Sequence, residues 1–209
     1  MPLPFAAQRL LAFLALQRVP LVRSHVAGTL WPDSPEQRSQ ASLRSTLWRI
    51  SRPGYHVVDA GPTHIELAPF VDVDMHRMVS KAHSLIADRA ALADDATDLL
   101  DDLLPDWYED WVIWERERLR QLRLHALEAL ALRLMRAGRY GEAVEASQMA
   151  LRDEPLRESA HRILILVHLA EGNAAEARRQ FRMYERLIGS ELNVEPSSDI
   201  RGLVRHLTP

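Results

Sequence analysis

Apolar positions in the first fifty residues recur at helical spacing in short runs. In AAQRLLAFLALQ, from Ala6 to Gln17, Leu10, Phe13, Leu14 and Leu16 supply a wide apolar face and predict a helix. VPLV breaks it, and Ser24 is the expected N-cap of a short second helix, HVAGTLW, ended by Pro32. A third helix is predicted from about Glu36 to Ser51, stopped by Pro53-Gly54. The pattern then turns strand-like in YHVVDA (Tyr55–Ala60) and THIELA (Thr63–Ala68), with Gly61-Pro62 between them. Three helices followed by a hairpin is the winged helix-turn-helix plan, in which the third helix enters the DNA major groove.

Beyond residue 70 the period is helical throughout. Helices are predicted from Asp74 to about Ala87 and from Ala90 to Leu103, the second rich in aspartate. Trp107, Trp111 and Trp114 step by four and three, which places them on one face of a helix start as core or interface. Leu119, Leu122, Ala126, Leu130 and Leu134 continue an inward stripe, while Glu115–Arg118 and Glu117–Arg120 pair on the wet side. A repeat follows: Gly138 and Gly172, Glu142 and Glu176, Ala143 and Ala177, and Met149 and Met183 are each 34 residues apart, the tetratricopeptide period. Tyr140 is expected to fill the gap between the paired helices, and Pro155 to stop the second. The later copy is looser, with Ala174 in place of the tyrosine and Gly189 in place of the proline. A capping helix is predicted from Ser197 or Ser198. The fold class read here is mainly α: a winged helix-turn-helix unit over 1–70 and an all-α, tetratricopeptide-like unit over 71–209.

Charge sharpens this division. The 209 residues carry a formal net charge of −3, yet residues 1–70 hold seven arginines and four acids, a balance of +3, against −6 for the remainder. A basic end on an acidic chain points to polyanion contact there. Absence of cysteine excludes disulfides and thiolate metal sites and fits a cytoplasmic location. No apolar run is long enough for a membrane span. Neither a phosphate-binding glycine loop nor metal-ligand spacing occurs, and the aspartates from Asp94 to Asp102 lack the ordered spacing of a calcium loop. No catalytic residue, metal or cofactor is expected. His161 and His168 are read as structural, and His56 and His64 as wing-surface residues.

On the third helix, Leu43, Leu47 and Ile50 make one apolar stripe. About half a turn away lie Arg38, Ser42, Ser45, Arg49 and Arg52, flanked by Arg44 and Trp48, with no carboxylate among them. Guanidinium forks suit phosphate oxygens and guanine edges, and serine approaches either closely. This face is the candidate DNA reader. Trp48 is expected to pack against the wing or a neighbouring subunit rather than enter the duplex.

The winged helix, then LPDWYEDWVIWERERLRQLRLHALEAL, GRYGEAVEASQMALRDEPLRESAHRILI, HLAEGNAAEARRQF and LNVEPS, together resemble the bacterial transcriptional activator domain. The chain closely resembles the small antibiotic-regulatory-protein type of activator, over about residues 6–207. SLRSTLWRISR resembles the recognition helix of the response-regulator type of winged helix. The resemblance implies an activator that binds directly repeated sites on double-stranded DNA as a head-to-tail homodimer. It also implies recruitment of RNA polymerase, often at a secondary-metabolite gene cluster. It maps Arg38, Arg44, Ser45, Arg49 and Arg52 onto the DNA face, with Thr63 and His64 near the wing tip. It further implies a small antiparallel sheet ahead of the first helix, whereas only MPLPF precedes it here, so that sheet is expected to be missing.

The alternative is a protein-interaction adaptor, in which the helical unit binds partners and the N-terminal unit only packs or dimerises. The acid-free arginine face separates the two, because an adaptor has no need of it. Trp107, Trp111, Trp114 and Tyr140 are the candidate interaction or dimer residues.

Overall fold

A computed structural model describes residues 3–51, 56–89, 99 and 102–205. By internal packing the chain divides into two compact units, Met1–Met75 and His76–Pro209.

The first unit runs α1 (Phe5–Ala15), β1 (Leu21–Val22), α2 (Arg23–Leu30), α3 (Glu36–Ile50), β2 (Val58–Ala60) and β3 (His64–Leu67). This is a winged helix. Its core gathers Leu10, Phe13 and Leu14 of α1, Val26, Ala27 and Leu30 of α2, and Leu43, Leu47 and Ile50 of α3, all buried. Ile65 and Val58 add the inner face of the hairpin. The sheet is antiparallel in the order β1-β3-β2, with Leu21 opposite Ile65 and Val58 opposite Leu67.

Two details differ from the reading of the sequence. The stretch taken as a plain break contains β1, which pairs with the hairpin and makes a third strand. Ser24 does not cap α2: the helix starts two residues earlier than expected, its N-cap position is Val22, and no side chain caps it. Instead the Arg23 amide donates to the Thr63 carbonyl at 2.9 Å, so the strand pairing supplies the acceptor that a capping hydroxyl would otherwise provide.

The second unit contains α4 (Asp74–Ile86), α5 (Asp110–Arg136), α6 (Tyr140–Asp153), α7 (Glu158–Ala170), α8 (Ala174–Leu192) and α9 (Ser198–Val204). The helix expected from Ala90 to Leu103 falls largely outside the described residues. Small side chains allow close helix crossing: Ala126 and Ala131 of α5, Ala143, Ala146 and Ala150 of α6, and Ala160 of α7 are buried in one cluster with Leu124, Leu127 and Leu134. A second cluster joins Ile165 of α7, Ala177, Tyr184 and Ile188 of α8, and Ile200 and Val204 of α9.

The 34-residue repeat has a backbone counterpart. At the end of α5 the Arg139 amide donates to Leu134 and the Gly138 amide to Met135, at 2.9 and 3.0 Å. At the end of α7 the Asn173 amide donates to His168 and the Gly172 amide to Leu169, at 2.8 and 3.1 Å. Both are Schellman turns, and both place glycine at positive φ, +75° and +85°. The end of α4 makes the same pair of bonds, Arg89 to Ser84 and Asp88 to Leu85, but with Asp88 at φ 54°. Pro155 follows the end of α6, as expected. In the looser copy Gly189 does not act as a stop: α8 runs through it to Leu192, and Asn193 in the left-handed region ends the helix.

Ion pairs tie these helices together. Arg123, only 7% exposed, faces Asp153 at 2.7 Å and Asp102 at 3.0 Å. Arg157 bonds Glu128 at 2.6 Å, and Ser159 also donates to Glu128. Burial pushes the Glu128 carboxyl up, but the hydrogen bonds from Arg157 and Ser159 outweigh it and hold the group below its ordinary value. His161 is structural, as read: one ring nitrogen bonds the Pro155 carbonyl at 2.8 Å and the other the Gln180 amide at 2.7 Å.

Candidate nucleic-acid interface

Helix α3 starts after Pro35, whose carbonyl accepts from the Arg38 and Ser39 amides at 2.9 and 3.0 Å. Its buried side is wider than the apolar stripe alone. Ser39 and Thr46 are also buried, because each hydroxyl bonds a carbonyl of its own helix: Ser39 to Glu36 at 2.9 Å and Thr46 to Ser42 at 2.8 Å. Turning these two hydroxyls inward rotates the solvent arc. At 100° per residue, the exposed positions Arg49, Arg38, Ser45, Ala41, Trp48, Gln37 and Arg44 fill about 140° of the wheel.

The predicted site residues are distributed accordingly. Arg38, Ser45 and Arg49 lie on the exposed arc, and Arg44 belongs to it rather than to its flank. Ser42 is half-buried at the margin. Arg52 lies outside the described residues. Trp48 is 79% exposed, so the hairpin does not cover it as one expectation had it. Arg38, Arg44 and Arg49 have no carboxylate partner among the described residues. Glu36, the single acid of α3, lies in its first turn on the opposite side of the wheel.

The hairpin end is held by α2. Arg23 Nη1 donates to the Gly61 carbonyl at 3.1 Å, in addition to the backbone bond from its amide to Thr63. Thr63 and His64 are both exposed, with Thr63 Oγ1 and His64 Nδ1 2.9 Å apart. The role of Arg23 was not anticipated, since nothing in its spacing relates it to residues some forty positions away. His56 meets Asp59 at 2.6 Å, a local contact within the hairpin. Among the described residues no group of three or more His, Cys, Asp or Glu is placed to hold a metal ion. Nor is any described helix long and apolar enough to cross a membrane.

In the second unit the tryptophans do not share one helix face. Leu104 takes a positive φ and Glu109 is extended, so α5 begins only at Asp110 and Trp107 lies in the preceding loop. Trp107 meets Trp111 edge to face, with ring centroids 6.2 Å apart. The loop is held by Arg116, whose guanidinium donates to the Leu103, Leu104 and Trp107 carbonyls, a role its spacing did not reveal. Trp114 points away from this pair and is 77% exposed. Tyr140 opens α6 and is half-buried against the helical core.

The bacterial transcriptional activator domain matches residues 73–208. The regulatory protein AfsR of Streptomyces coelicolor is 27% identical over 192 residues, covering 85% of this chain and 19% of AfsR. Among solved structures, Mycobacterium tuberculosis EmbR in complex with a low-affinity phosphopeptide superposes with a TM-score of 0.72 at 18% identity. That likeness, which shows the fold, covers 99% of this chain and 60% of EmbR. The chain thus spans about a fifth of the one relative and three fifths of the other. The chain belongs to the bacterial transcriptional activator domain family.

Proposed function

We propose that this protein is a DNA-binding transcriptional activator whose helix α3 lies in the major groove. The observation that carries this reading is the exposed arc of α3: Arg38, Arg44 and Arg49 without a carboxylate partner among the described residues, beside Ser45 and the small Ala41. Three guanidinium groups left unneutralised on one helix repel one another unless a polyanion faces them. Arginine pairs bidentately with guanine O6 and N7 or with phosphate, so the same face can both position and read. Thr63 and His64, on the hairpin end braced by Arg23, reach the phosphates of an adjacent groove. By family resemblance the protein binds direct repeats as a head-to-tail homodimer and recruits RNA polymerase, with a secondary-metabolite gene cluster as its target. Residues 1–70 form the DNA-binding half and residues 71–209 the activator half of this scheme.

Binding to the protein's own upstream DNA, titrated across a salt series, tests the reading. Saturable binding to one fragment, weakened by salt and by Arg49→Ala or Arg38→Ala, is expected. Folded protein that binds that fragment no better than random DNA overturns it.

A second reading, a protein-interaction adaptor, draws on a different observation. Tyr108 and Trp114 are 80% and 77% exposed at the start of α5, with Ile113 beside them. Such aromatics suit a protein partner or a second subunit. Trp114 is the member of the tryptophan group free to serve it, because Trp107 and Trp111 are occupied with each other.

A further inference from the structure

A second set of arginines stands in the otherwise acidic helical unit. On α8, Arg178, Arg182 and Arg186 follow one another at steps of four, so they project from one face over about 12 Å. Arg182 and Arg186 are exposed and Arg178 is half-buried. None of the three has a carboxylate partner among the described residues; Arg186 Nε only donates to the Arg182 carbonyl, at 3.2 Å. Arg179 adjoins them, and its one ion pair is a loose 3.7 Å contact to Glu176. Glu185, at the margin, makes no ion pair with them.

Several other arginines of the same unit are paired, although exposed Arg136 and Arg152 are not among them. Arg120 holds Glu154, Arg133 holds Asp88, Arg139 holds Glu142 and Arg157 holds Glu128. Residues 71–209 have a net charge of −6, so carboxylates to neutralise the α8 arginines are plentiful in the sequence. They are not placed there.

The rest of the face decides what fits it. On the same arc, at its two ends along the helix, stand Ala175 and Gly189, both small and exposed. A hollow of about 310 Å³, bounded by Ala174, Ala175, Arg178 and Arg182, opens at its N-terminal end. No aromatic or large aliphatic side chain lies within the arginine arc. A protein partner binds through a desolvated apolar or aromatic centre, and the arc has none, its nearest exposed apolar side chain, Met183, standing at the margin beyond Arg179. A sugar-phosphate backbone needs only cations that it can approach closely. Duplex DNA carries one negative charge per ~1.7 Å of axis, so about seven charges face a stretch of this length.

We infer that the arginine stripe on α8 is a second, sequence-independent DNA contact, made to the phosphate backbone through Arg178, Arg182 and Arg186. This rests on the proposed DNA binding by α3 and extends it. The face through α3 discriminates between sequences, and the one through α8 adds affinity equally on any sequence.

The test uses the full chain on its upstream fragment and on a random fragment of equal length, each titrated across a salt series. The triple variant Arg178→Gln/Arg182→Gln/Arg186→Gln is compared with wild type. A double variant, Arg182→Gln/Arg186→Gln, leaves the half-buried Arg178 in place in case the triple variant folds poorly. The triple variant should reduce the slope of log K against log salt by about 2–3 and the double by about 2. At ~0.15 M salt the triple change should weaken both fragments alike, by up to about 100-fold. Arg49→Ala, in contrast, should narrow the preference between the fragments. A wild-type protein that binds DNA, with folded α8 variants of unchanged slope, overturns the second contact and leaves the α3 reading intact. Unchanged slopes with loss of polymerase-dependent transcription overturn it too, and give the stripe to an acidic protein surface. A wild type that binds no DNA overturns both.

Discussion

Arginine serves opposite ends in α3 and α5. On α5 its charge is spent inside the protein: Arg123 is buried between Asp102 and Asp153, and Arg120 bridges Glu117 and Glu154. There a guanidinium fork fastens one helix to another, and its removal would leave those carboxylates without their partner. On α3, Arg38, Arg44 and Arg49 stand in solvent and make no ion pair with a carboxylate among the described residues. The difference teaches that a count of arginines says little about polyanion binding. What matters is whether the protein has already supplied the counter-ion.

The comparison can be broken from either side. The largest effect is expected at Arg123, where Arg123→Met leaves Asp153 without its buried partner. Because Asp153 and Asp102 keep 25% and 62% of their side chains exposed, the loss is expected at about 3 kcal/mol, the low end for a buried pair. Urea denaturation should show it as a lower midpoint with an unchanged slope. On the other side, Arg49→Ala should leave the denaturation midpoint unmoved and weaken specific DNA binding by about 1–3 kcal/mol. An equal loss of stability at Arg49 would erase the distinction between the two helices.

A smaller effect concerns a buried group that must stay neutral. Burial holds the His161 pKa below its ordinary value of 6.5, and the bonds to Pro155 and the nearby Glu158 only partly oppose this. The unfolded chain therefore takes up the proton before the folded one does. Stability should fall as pH drops below the unfolded value and level off once the folded ring protonates. Thermal unfolding from about pH 7.5 to about pH 5.5 should show a steeper decline in wild type than in His161→Gln. Matching declines would remove His161 from the account.

The smallest effect is expected at Arg139, where the Glu142 bond lowers the carboxyl pKa and raises that of the guanidinium. Both groups are fully solvated, so Arg139→Gln should leave the melting temperature unchanged within error. Gly138 beside it is a different matter. A Cβ there meets no atom within 4 Å, yet φ is +75°, so Gly138→Ala should destabilise by about 1–2 kcal/mol through the backbone alone.

Much of this architecture is legible in the sequence where one strong local signal acts. Gly138 and Gly172 mark the Schellman turns after α5 and α7 because glycine takes that φ most freely, and Pro53-Gly54 lies just beyond the end of α3. Strand β1 was not legible: two residues cannot display an alternation, and Leu21–Val22 pairs only because β3 arrives some forty residues later. The tryptophan spacing misled because periodicity presumes that a helix has begun, and the backbone from Leu104 to Glu109 delays it. At α3 the arginine face was visible, but its centre was not. Ser39 and Thr46 count as polar in any pattern, while their hydroxyls, satisfied by carbonyls of their own helix, let them sit in the core. That shifts the exposed arc toward Arg44 and Trp48 and leaves Ser42 at the edge.

The central claim is that α3 reads base edges in the major groove with unneutralised arginines. Protection of guanine N7 from methylation on the bound upstream fragment tests it most directly, since N7 lies only in that groove. Wild type should protect at least one guanine in each repeat, and Arg49→Ala or Arg44→Ala should re-expose a specific one while binding persists at low salt. Binding with no N7 protection, or with a pattern that neither substitution changes, would contradict the account.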